Sequence, residues 1–306
     1  MGFMLRSTIR IFGGKGNLVR WLLKYIPKHR YYLELFGGGA SLLFAKPPCE
    51  FEVYNDIDGL LVNFFRVIRD SKKFKKFLKM AWLTPVSRNE HISFRDKILK
   101  DPDSLSDIEK AFYFWYVSRT CFGGNIFGGG FGIEIKDVCN NMPKNVSSYI
   151  SALEMLPFAH RRIMKCVIEN LDFRECMERY VDMWSYDNAF VYCDPPYVED
   201  TREDKGLQYI HEMSKKDHED FVDILLRYSN KAKFMVSGYD NEIYKKLEKA
   251  GWKKLTKLTA CHVVGKTRFT KLKGDGVMLE RHPRVECIWV NYDVCNTNVK
   301  QLKLFC

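Results

Sequence analysis

The chain is 306 residues long, 46% hydrophobic and 28% charged, which is typical of a globular protein with one large core or a catalytic domain carrying a smaller insert. No apolar run approaches membrane-spanning length and the amino-terminal stretch lacks the long apolar core of a secretory signal, so we expect neither a membrane protein nor a secreted one, and place the chain in the cytoplasm. The formal net charge is +11, and the basic residues are clustered. There are 11 basic and three acidic residues between Arg66 and Lys100, and seven basic and no acidic residues between Gly251 and Lys273. Such clusters favour a polyanionic partner, although a solvated basic surface is the alternative.

The first elements in chain order are two strands and a helix around a glycine-rich turn. Short apolar runs predict strands at 31–36 and 51–56, and 60–70 follows with helical spacing. The first strand runs into LELFGGGAS, in which three glycines precede a helix. Glycines at this point let backbone amides approach an anionic or sugar-bearing ligand closely. A plain tight turn would use the same glycines.

Two polar side chains accompany this turn. Asp56 stands at the end of the second strand, where a carboxylate can accept hydrogen bonds from ribose hydroxyls. Lys15 follows two glycines in IFGGKG and can pair with a ligand carboxylate, although an exposed loop lysine is more common. A dinucleotide fingerprint, G-x-G-x-x-G, would have its last glycine where Leu42 stands, which disfavours a nicotinamide or flavin cofactor.

The stretch from 71 to 165 differs in character from both flanks. It is rich in lysine, contains the aromatic run AFYFWYV and includes the glycine-dense FGGNIFGGGFG, which is unsuited to a helix interior. We interpret 71–165 as an inserted, mainly helical domain with a loop. The catalytic domain is then formed by 1–70 and 166–306.

The second half of the chain returns to strands alternating with helices. Ser214 and Asp217 resemble a capping box at the start of a helix. Because strands alternate with helices, the pattern predicts a mostly parallel sheet covered on both faces. The predicted strands of this half lie at 166–173, 188–194, 231–239 and 285–292.

A rigid corner follows the strand at 188–194, in the sequence VYCDPPYVED. Two consecutive prolines fix the backbone, so the Pro195 carbonyl is aimed in a set direction beside the Asp194 carboxylate. These two acceptors, with Tyr197 available to lie flat against a planar ring, suit an exocyclic amine on an aromatic base. The alternative is a Pro-Pro turn after a buried strand, in which Asp194 and Tyr197 are incidental.

Ten cysteines do not form a metal or disulfide pattern. No two are spaced as C-x-x-C, and none stands at finger-like distance from paired histidines. Cys166, Cys193 and Cys287 lie inside apolar runs and are interpreted as small buried hydrophobes in a reducing compartment, with a reactive thiol left open. We expect no metal.

Taken in order, these motifs resemble those of the Dam-like DNA adenine methyltransferases. The resemblance rests on FGGKG, LELFGGGAS and YNDID before the insert, and on IENLDF, VYCDPPY, FMVSGYDNEIY and CIWVNY after it. It implies a Rossmann-like α/β methyltransferase sheet, mostly parallel with helices on both faces, with an inserted, mainly helical target-recognition domain. It also implies methyl transfer from S-adenosylmethionine, giving S-adenosylhomocysteine, to the exocyclic amino nitrogen of an adenine flipped out of double-stranded DNA.

The resemblance assigns residues to the cofactor by matching position. Lys15 would hold the methionine carboxylate and Asp56 the ribose. Asp172 would accept the adenine amino group of the cofactor, with Phe173 beside it. Core packing is the more common fate of such phenylalanines and remains the alternative for Phe36 and Phe173. The implied cofactor site comprises Lys15, Phe36, Gly37, Gly39, Asp56, Asp172 and Phe173, and the implied catalytic site Asp194, Pro195, Pro196 and Tyr197.

The implied DNA contacts lie in the inserted domain, with its glycine-dense loop, and in a later basic segment. RTCF, which contains Arg119, resembles the start of the family's recognition hairpin, but many relatives continue with an aromatic residue and an arginine where this chain has Gly124, Asn125 and Ile126. A GATC target is therefore not carried over. Asn125 can read adenine and Phe127 can wedge between bases, or both belong to a plain loop. The later segment would contact phosphates through Lys266, Arg268 and Lys271.

Three functions besides DNA adenine methylation stay open. Methyltransferases acting on RNA or on protein amides usually show asparagine where Asp194 stands, so this aspartate favours DNA adenine. Besides such an RNA or protein methyltransferase, the alternatives are a non-catalytic DNA-binding relative and, more distantly, a nicotinamide-dependent oxidoreductase. The expected partner is double-stranded DNA, and no membrane association is expected. A cognate restriction endonuclease could act separately. The host would be a bacterium or a cell infected by a phage or virus.

Overall fold

The computed structural model describes most of the chain. The described residues are 5–11, 13–126, 128–132, 138–139, 141–198, 201, 211–260 and 283–294. The predictions made for Phe127, Lys266, Arg268 and Lys271 lie outside them.

A mixed sheet forms the centre of the described part. Its order is β5-β2-β1-β6-β7-β9-β8, parallel from β5 to β7 and antiparallel at β9 and β8, while β3 and β4 form a separate small hairpin. The predicted mostly parallel sheet is thereby confirmed. The strands are β1 Tyr31–Glu34, β2 Phe51–Asn55, β3 Val138–Cys139, β4 Met142–Pro143, β5 Val167–Glu169, β6 Ala189–Cys193, β7 Lys233–Gly238, β8 Lys253–Ala260 and β9 Pro283–Val290.

Ten α-helices surround this sheet within the described ranges. Those of the central segment follow β2, and two more follow β5 and β6. They are α1 Val19–Leu22, α2 Ser41–Ala45, α3 Gly59–Arg69, α4 Ser71–Leu83, α5 Arg88–Lys100, α6 Asp107–Thr120, α7 Lys144–Ile163, α8 Phe173–Tyr180, α9 Lys215–Arg227 and α10 Lys245–Lys249. None of the described helices is long and apolar enough to cross a membrane.

Most of the predicted elements are confirmed, but one changes type along its length. The capping box of α9 forms as predicted, with Ser214 accepting from the Asp217 amide and Asp217 accepting from the Ser214 amide. The predicted strand at 166–173 is wrong in its second half. Only β5 is extended, because Asp172 accepts a hydrogen bond from the Arg174 amide and so starts α8.

Both faces of the sheet are buried, by different layers. Successive strand residues alternate between two hydrophobic clusters, so Tyr32 and Phe190 face one layer while Leu33 and Val191 face the other. Helices α8 and α9 cover the second face, and the helices that follow β2 cover the first. Cys166, Cys193 and Cys287 are free thiols buried in these layers, as predicted.

The segment from α4 to α7 shares its core with the first face. Phe77, Trp115 and Tyr149 belong to the same hydrophobic cluster as Tyr32 and Tyr54 of the sheet. The indole of Trp115 also donates to the Thr8 carbonyl at 2.9 Å. The described residues of this segment are mainly helical and include the β3–β4 hairpin. Its status as an inserted domain, with limits at 71 and 165, stays a prediction.

A buried charge cluster joins this segment to the sheet. Glu52 of β2 pairs with Lys46 at 2.5 Å and accepts a hydrogen bond from Arg162 of α7 at 2.8 Å. Burial alone would raise the pKa of Glu52, but Arg162 and Lys46 outweigh that cost and lower it. The carboxylate is therefore charged and fully paired.

Candidate active site

A cleft opens at the carboxyl ends of the parallel strands β1, β2 and β6. This is where ligands bind in open α/β sheets. It holds about 1060 Å³ of free space, open solvent at its mouth included. The cleft is lined by Gly37, Gly38 and Gly39 after β1, Asp56 after β2, Asp194, Pro195 and Pro196 after β6, and by two loop segments, 13–15 and 124–126.

At Gly37, the glycine turn after β1 is packed too closely for a side chain. A Cβ at Gly37 would lie 2.2 Å from the Tyr54 ring, well inside contact distance. The Tyr54 hydroxyl donates to the Gly38 carbonyl at 2.8 Å, and Gly38 itself has a left-handed φ of +49°. The turn thus presents bare main chain to the cleft.

Asp56 is tied to the same turn. One carboxylate oxygen accepts from the Gly38 amide at 2.7 Å and the other from the Asp58 amide at 2.9 Å. Burial raises the pKa of Asp56 to about 6, while these two amides act to lower it. We call Gly37, Gly38, Gly39 and Asp56, with the Tyr54 ring beneath them, the cofactor corner.

Across the cleft, Asp194 is paired with Lys15. The ammonium lies 2.8 Å from Asp194 Oδ1 and 4.5 Å from the centre of the Tyr197 ring, over its face. It also donates to the Gly13 carbonyl at 3.1 Å. Burial raises the pKa of Asp194, and the Lys15 charge opposes that rise.

Tyr197 is held at both its tip and its edge. Its hydroxyl donates to Glu286 Oε2 of β9 at 2.8 Å, and its ring meets Tyr239 edge-on with 4.5 Å between ring centres. Only 7% of Tyr197 is exposed, and burial followed by the nearby charges of Asp194 and Glu286 raises its pKa well above the ordinary value, so the phenol is neutral. Asp194, Pro195 and Pro196 line the cleft, and Tyr197 lies behind them rather than among the lining residues. We call these four residues the target corner.

A carboxyl group that sequence reasoning missed lies at the cleft floor. Glu34, the last residue of β1, is in register with Tyr54 on one side and Tyr192 on the other. It accepts from the Tyr32 hydroxyl at 2.9 Å and the Leu43 amide at 2.8 Å, and burial raises its pKa to about 8. A glutamate inside the apolar run YYLELF was the available signal.

Two predicted cofactor residues are not among those that line the cleft. Asp172 caps α8 and pairs with Arg174 at 3.3 Å, with 48% of its side chain exposed. Phe173 is buried, with ring centres 5.7 Å from Phe36 and 5.6 Å from Phe221. Phe36 does line the cleft. Phe173 is thus packed in the core, and the cofactor roles of Asp172 and Phe173 stay predictions.

Two predicted DNA contacts are engaged inside the protein. The guanidinium of Arg119 donates to the carbonyl and hydroxyl oxygens of Ser148 on α7 at 2.7 and 2.5 Å, and burial lowers its pKa to about 10. Asn125 lines the cleft, and its side-chain oxygen accepts from the Gly128 amide at 2.8 Å in a tight turn. Their roles on DNA stay predictions.

The described residues hold no cluster of three or more histidine, cysteine, aspartate or glutamate side chains arranged to bind a metal ion.

Comparison with known proteins gives a family match and several distant relatives. The model of the D12 class N6 adenine-specific DNA methyltransferase family matches residues 12–261. The type II methyltransferase M1.LlaDCHI of Lactococcus lactis subsp. cremoris is 25% identical over 258 residues, 79% of this chain and 85% of the relative.

Two further relatives match over shorter stretches. The modification methylase StsI of Streptococcus sanguinis is 22% identical over 63% of this chain, and the match spans only 29% of that methylase. A DNA adenine methylase of Vibrio cholerae is 22% identical over 63% of this chain and 65% of the relative.

Proposed function

Since the chain belongs to the D12 class N6 adenine-specific DNA methyltransferase family, we propose that its cleft binds S-adenosylmethionine at the cofactor corner and the amino group of an extruded adenine at the target corner. The observation that carries the proposal is the position of the Lys15 ammonium. It is bonded to Asp194 and lies over the Tyr197 ring, which is where the N–H groups of a base stacked on that ring would lie.

The target corner supplies two hydrogen-bond acceptors to the amine. The Asp194 carboxylate and the Pro195 carbonyl would draw the two N–H bonds of the adenine amino group out of the ring plane. This localises the nitrogen lone pair, which is otherwise delocalised into the ring, and aims it across the cleft. As positive charge develops on the nitrogen, the same two acceptors stabilise it.

The cofactor corner fits a nucleoside sulfonium. Bare main chain at Gly37 and Gly39 admits a ligand closely, and Asp56 offers a carboxylate at the end of β2 for the ribose hydroxyls. Lys15, which pairs with Asp194 in the structure, would hold the methionine carboxylate once the target amine has taken its place, and Phe36 would line the site. When bound, S-adenosylmethionine supplies an electrophilic methyl group and leaves as S-adenosylhomocysteine. Asp172 and Phe173 would contact the cofactor adenine.

The base must leave the duplex to reach this corner. Extrusion costs a few kcal/mol, and stacking on Tyr197 would offset part of it. Basic residues would position the phosphates, from the α4 to α7 segment and from Lys266, Arg268 and Lys271 outside the described residues. Arg119 and Asn125 begin the loop that would read the site. The reaction would take place in the cytoplasm of a bacterium or an infected host, with or without a separate restriction endonuclease.

The test is a transfer assay that compares three acceptor classes. Purified protein is incubated with S-adenosylmethionine labelled on the methyl group and with DNA, RNA or protein, and modified adenines in the DNA are located by single-molecule sequencing. We expect label in DNA as N6-methyladenine at a fixed sequence. Label in RNA or protein alone would overturn the proposal.

Asp194→Ala is the matched variant. Removing one of two acceptors should lower the rate by on the order of 10²- to 10³-fold or more, as found when one preorganised polar group is removed from a site of developing charge. DNA binding should keep its affinity and salt dependence. Turnover at the wild-type rate would remove Asp194 from the chemistry.

A further inference from the structure

Glu286 lies in β9, a strand that contributes no residue to either corner. Its side chain nevertheless contacts Tyr197 of the target corner. Its Oε2 accepts a hydrogen bond from the Tyr197 hydroxyl, with 2.8 Å between the two oxygens, although the two residues are 89 positions apart in the sequence. We propose that Glu286 is a positioning residue that orients the Tyr197 ring for the extruded base. This inference rests on the proposed function, because it needs Tyr197 to be the stacking surface.

The surroundings of Tyr197 indicate why such a contact is needed. Two prolines fix the backbone before Tyr197, but they do not fix the two side-chain torsions that orient the ring. The Glu286 bond sets the position of the hydroxyl, and the edge-on contact with Tyr239 limits rotation of the ring. One face of the ring is then directed at Lys15 and Asp194.

The charge of Glu286 also suits the reaction. A carboxylate that accepts a hydrogen bond from a phenol makes a charge-assisted hydrogen bond, which is shorter and stronger than a neutral one. It pushes electron density into the ring, whose face attracts positive charge. An adenine that gains positive charge during methylation would therefore be held more tightly on this ring than the neutral base.

A merely structural role for Glu286 is the alternative that the test must separate. Glu286 is the cross-strand partner of Lys257 in the β8–β9 ladder, and opposite charges across a ladder stabilise a sheet. Loss of that pair would lower stability with no specific effect on the base. The two roles differ in whether the effect of removing Glu286 depends on the Tyr197 hydroxyl.

The experiment is a double-mutant cycle on full-length protein with the DNA site found by sequencing. Glu286→Ala, Tyr197→Phe and the double variant are compared for kcat, DNA KM and cofactor affinity, and for the fluorescence of 2-aminopurine placed at the target adenine. We expect each single change to lower kcat about 10-fold, and the double variant to be no worse than either one. Cofactor affinity should stay unchanged.

Two further variants complete the test. Glu286→Gln keeps an acceptor but loses the charge. It should therefore restore the 2-aminopurine signal and recover kcat only in part, to within about 3-fold of wild type. Glu242→Ala removes an exposed carboxylate paired with Lys245 and should change nothing. If Glu286→Ala fails to fold, Glu286→Gln and Tyr197→Phe with their double variant form the cycle.

Three outcomes would overturn the inference. The first is a wild-type kcat in Glu286→Ala, and the second is a double variant whose loss of kcat is the product of the two single losses. The third is a Glu286→Gln variant that loses as much kcat and as much stability as Glu286→Ala. These differ from failure of the proposed function, in which the wild-type protein itself would not methylate DNA.

Discussion

The two corners of the cleft are built in different ways. At the cofactor corner the contacts are made with main chain: Asp56 accepts from backbone amides, and Tyr54 donates to a backbone carbonyl. At the target corner they join side chains, with Lys15 on Asp194 and Tyr197 on Glu286. We expect a corner held by main-chain hydrogen bonds to keep its shape when a ligand binds. A corner made of charged side chains can exchange one partner for another.

This difference matches what each corner must recognise. The cofactor is the same molecule in every turnover, so a fixed surface suits it. Under the proposed function, the target base would arrive from a duplex and leave methylated, and the Lys15 ammonium would have to move from its place beside Asp194 when the amine enters. Added bulk at the cofactor corner and the removal of polar groups that serve only one corner test whether the two corners differ in this way.

The largest effect is expected from Gly37→Ala. One methyl group would lie against the Tyr54 ring at 2.2 Å, and the ring cannot retreat without breaking its bond to the Gly38 carbonyl. Overpacking of this severity costs about 3 kcal/mol or more. Urea unfolding should show that loss, and calorimetric titration with S-adenosylhomocysteine should show binding weakened or absent.

Gly16→Ala is the control, because nothing lies within 4 Å of a Cβ at that position. It should leave both measurements unchanged. If Gly37→Ala were as stable as Gly16→Ala and bound the ligand equally well, the cofactor corner would not be a rigid element.

A pH-dependent effect is expected from Glu34→Gln, at the floor between the corners. Burial raises the pKa of Glu34 to about 8, so the folded protein holds this proton more tightly than the unfolded chain does. The resulting stability is fully present below about pH 4.5 and is lost as the pH rises through about 8. Glutamine carries no proton to lose, and its oxygen can still accept a hydrogen bond.

The unfolding free energy of the wild type should therefore fall by about 2 to 3 kcal/mol more than that of Glu34→Gln between pH 5 and pH 7. Urea titrations at those two pH values measure the difference. The exposed Glu154→Gln controls for loss of a carboxylate, and its curve should follow the wild type. Parallel curves for Glu34→Gln and wild type would contradict the assignment.

The smallest effect is expected from Asp172→Ser. Serine is as good an N-cap as aspartate, so stability should stay within about 0.5 kcal/mol. If Asp172 also accepts the cofactor's adenine amino group, S-adenosylhomocysteine should bind about 10-fold more weakly, the worth of one hydrogen bond. An unchanged dissociation constant would leave Asp172 with the helix cap alone.

Local motifs carried the sequence predictions furthest. The glycine turn, Asp56 and Asp194 were each predicted as residues that end a strand, and they line one cleft. Their roles in binding and chemistry stay predictions. The family match and the parallel sheet confirm the predicted fold and family. The capping box of α9 was predicted for the same local reason.

Contacts between distant parts of the chain could not be predicted in this way. No spacing rule brings Glu286 to Tyr197, or indicates that Arg119 donates to Ser148 on α7. The end of the predicted strand at 166–173 failed because apolar content favoured extension while the cap at Asp172 favoured a helix, and the cap prevailed. Strand β8 was missed because lysines and threonines interrupt its apolar residues.

The buried cluster of Glu52, Lys46 and Arg162 has a consequence for changing which DNA site the protein modifies. The Arg162 side chain extends from α7 to the buried Glu52 carboxylate, which also pairs with Lys46. A chimera that replaced the whole helical segment with a relative's would therefore remove one of the two cations that neutralise Glu52, unless it kept an arginine at that position. Under the proposed function, an exchange that keeps α7 would leave this cluster intact while changing the residues expected to read the DNA site.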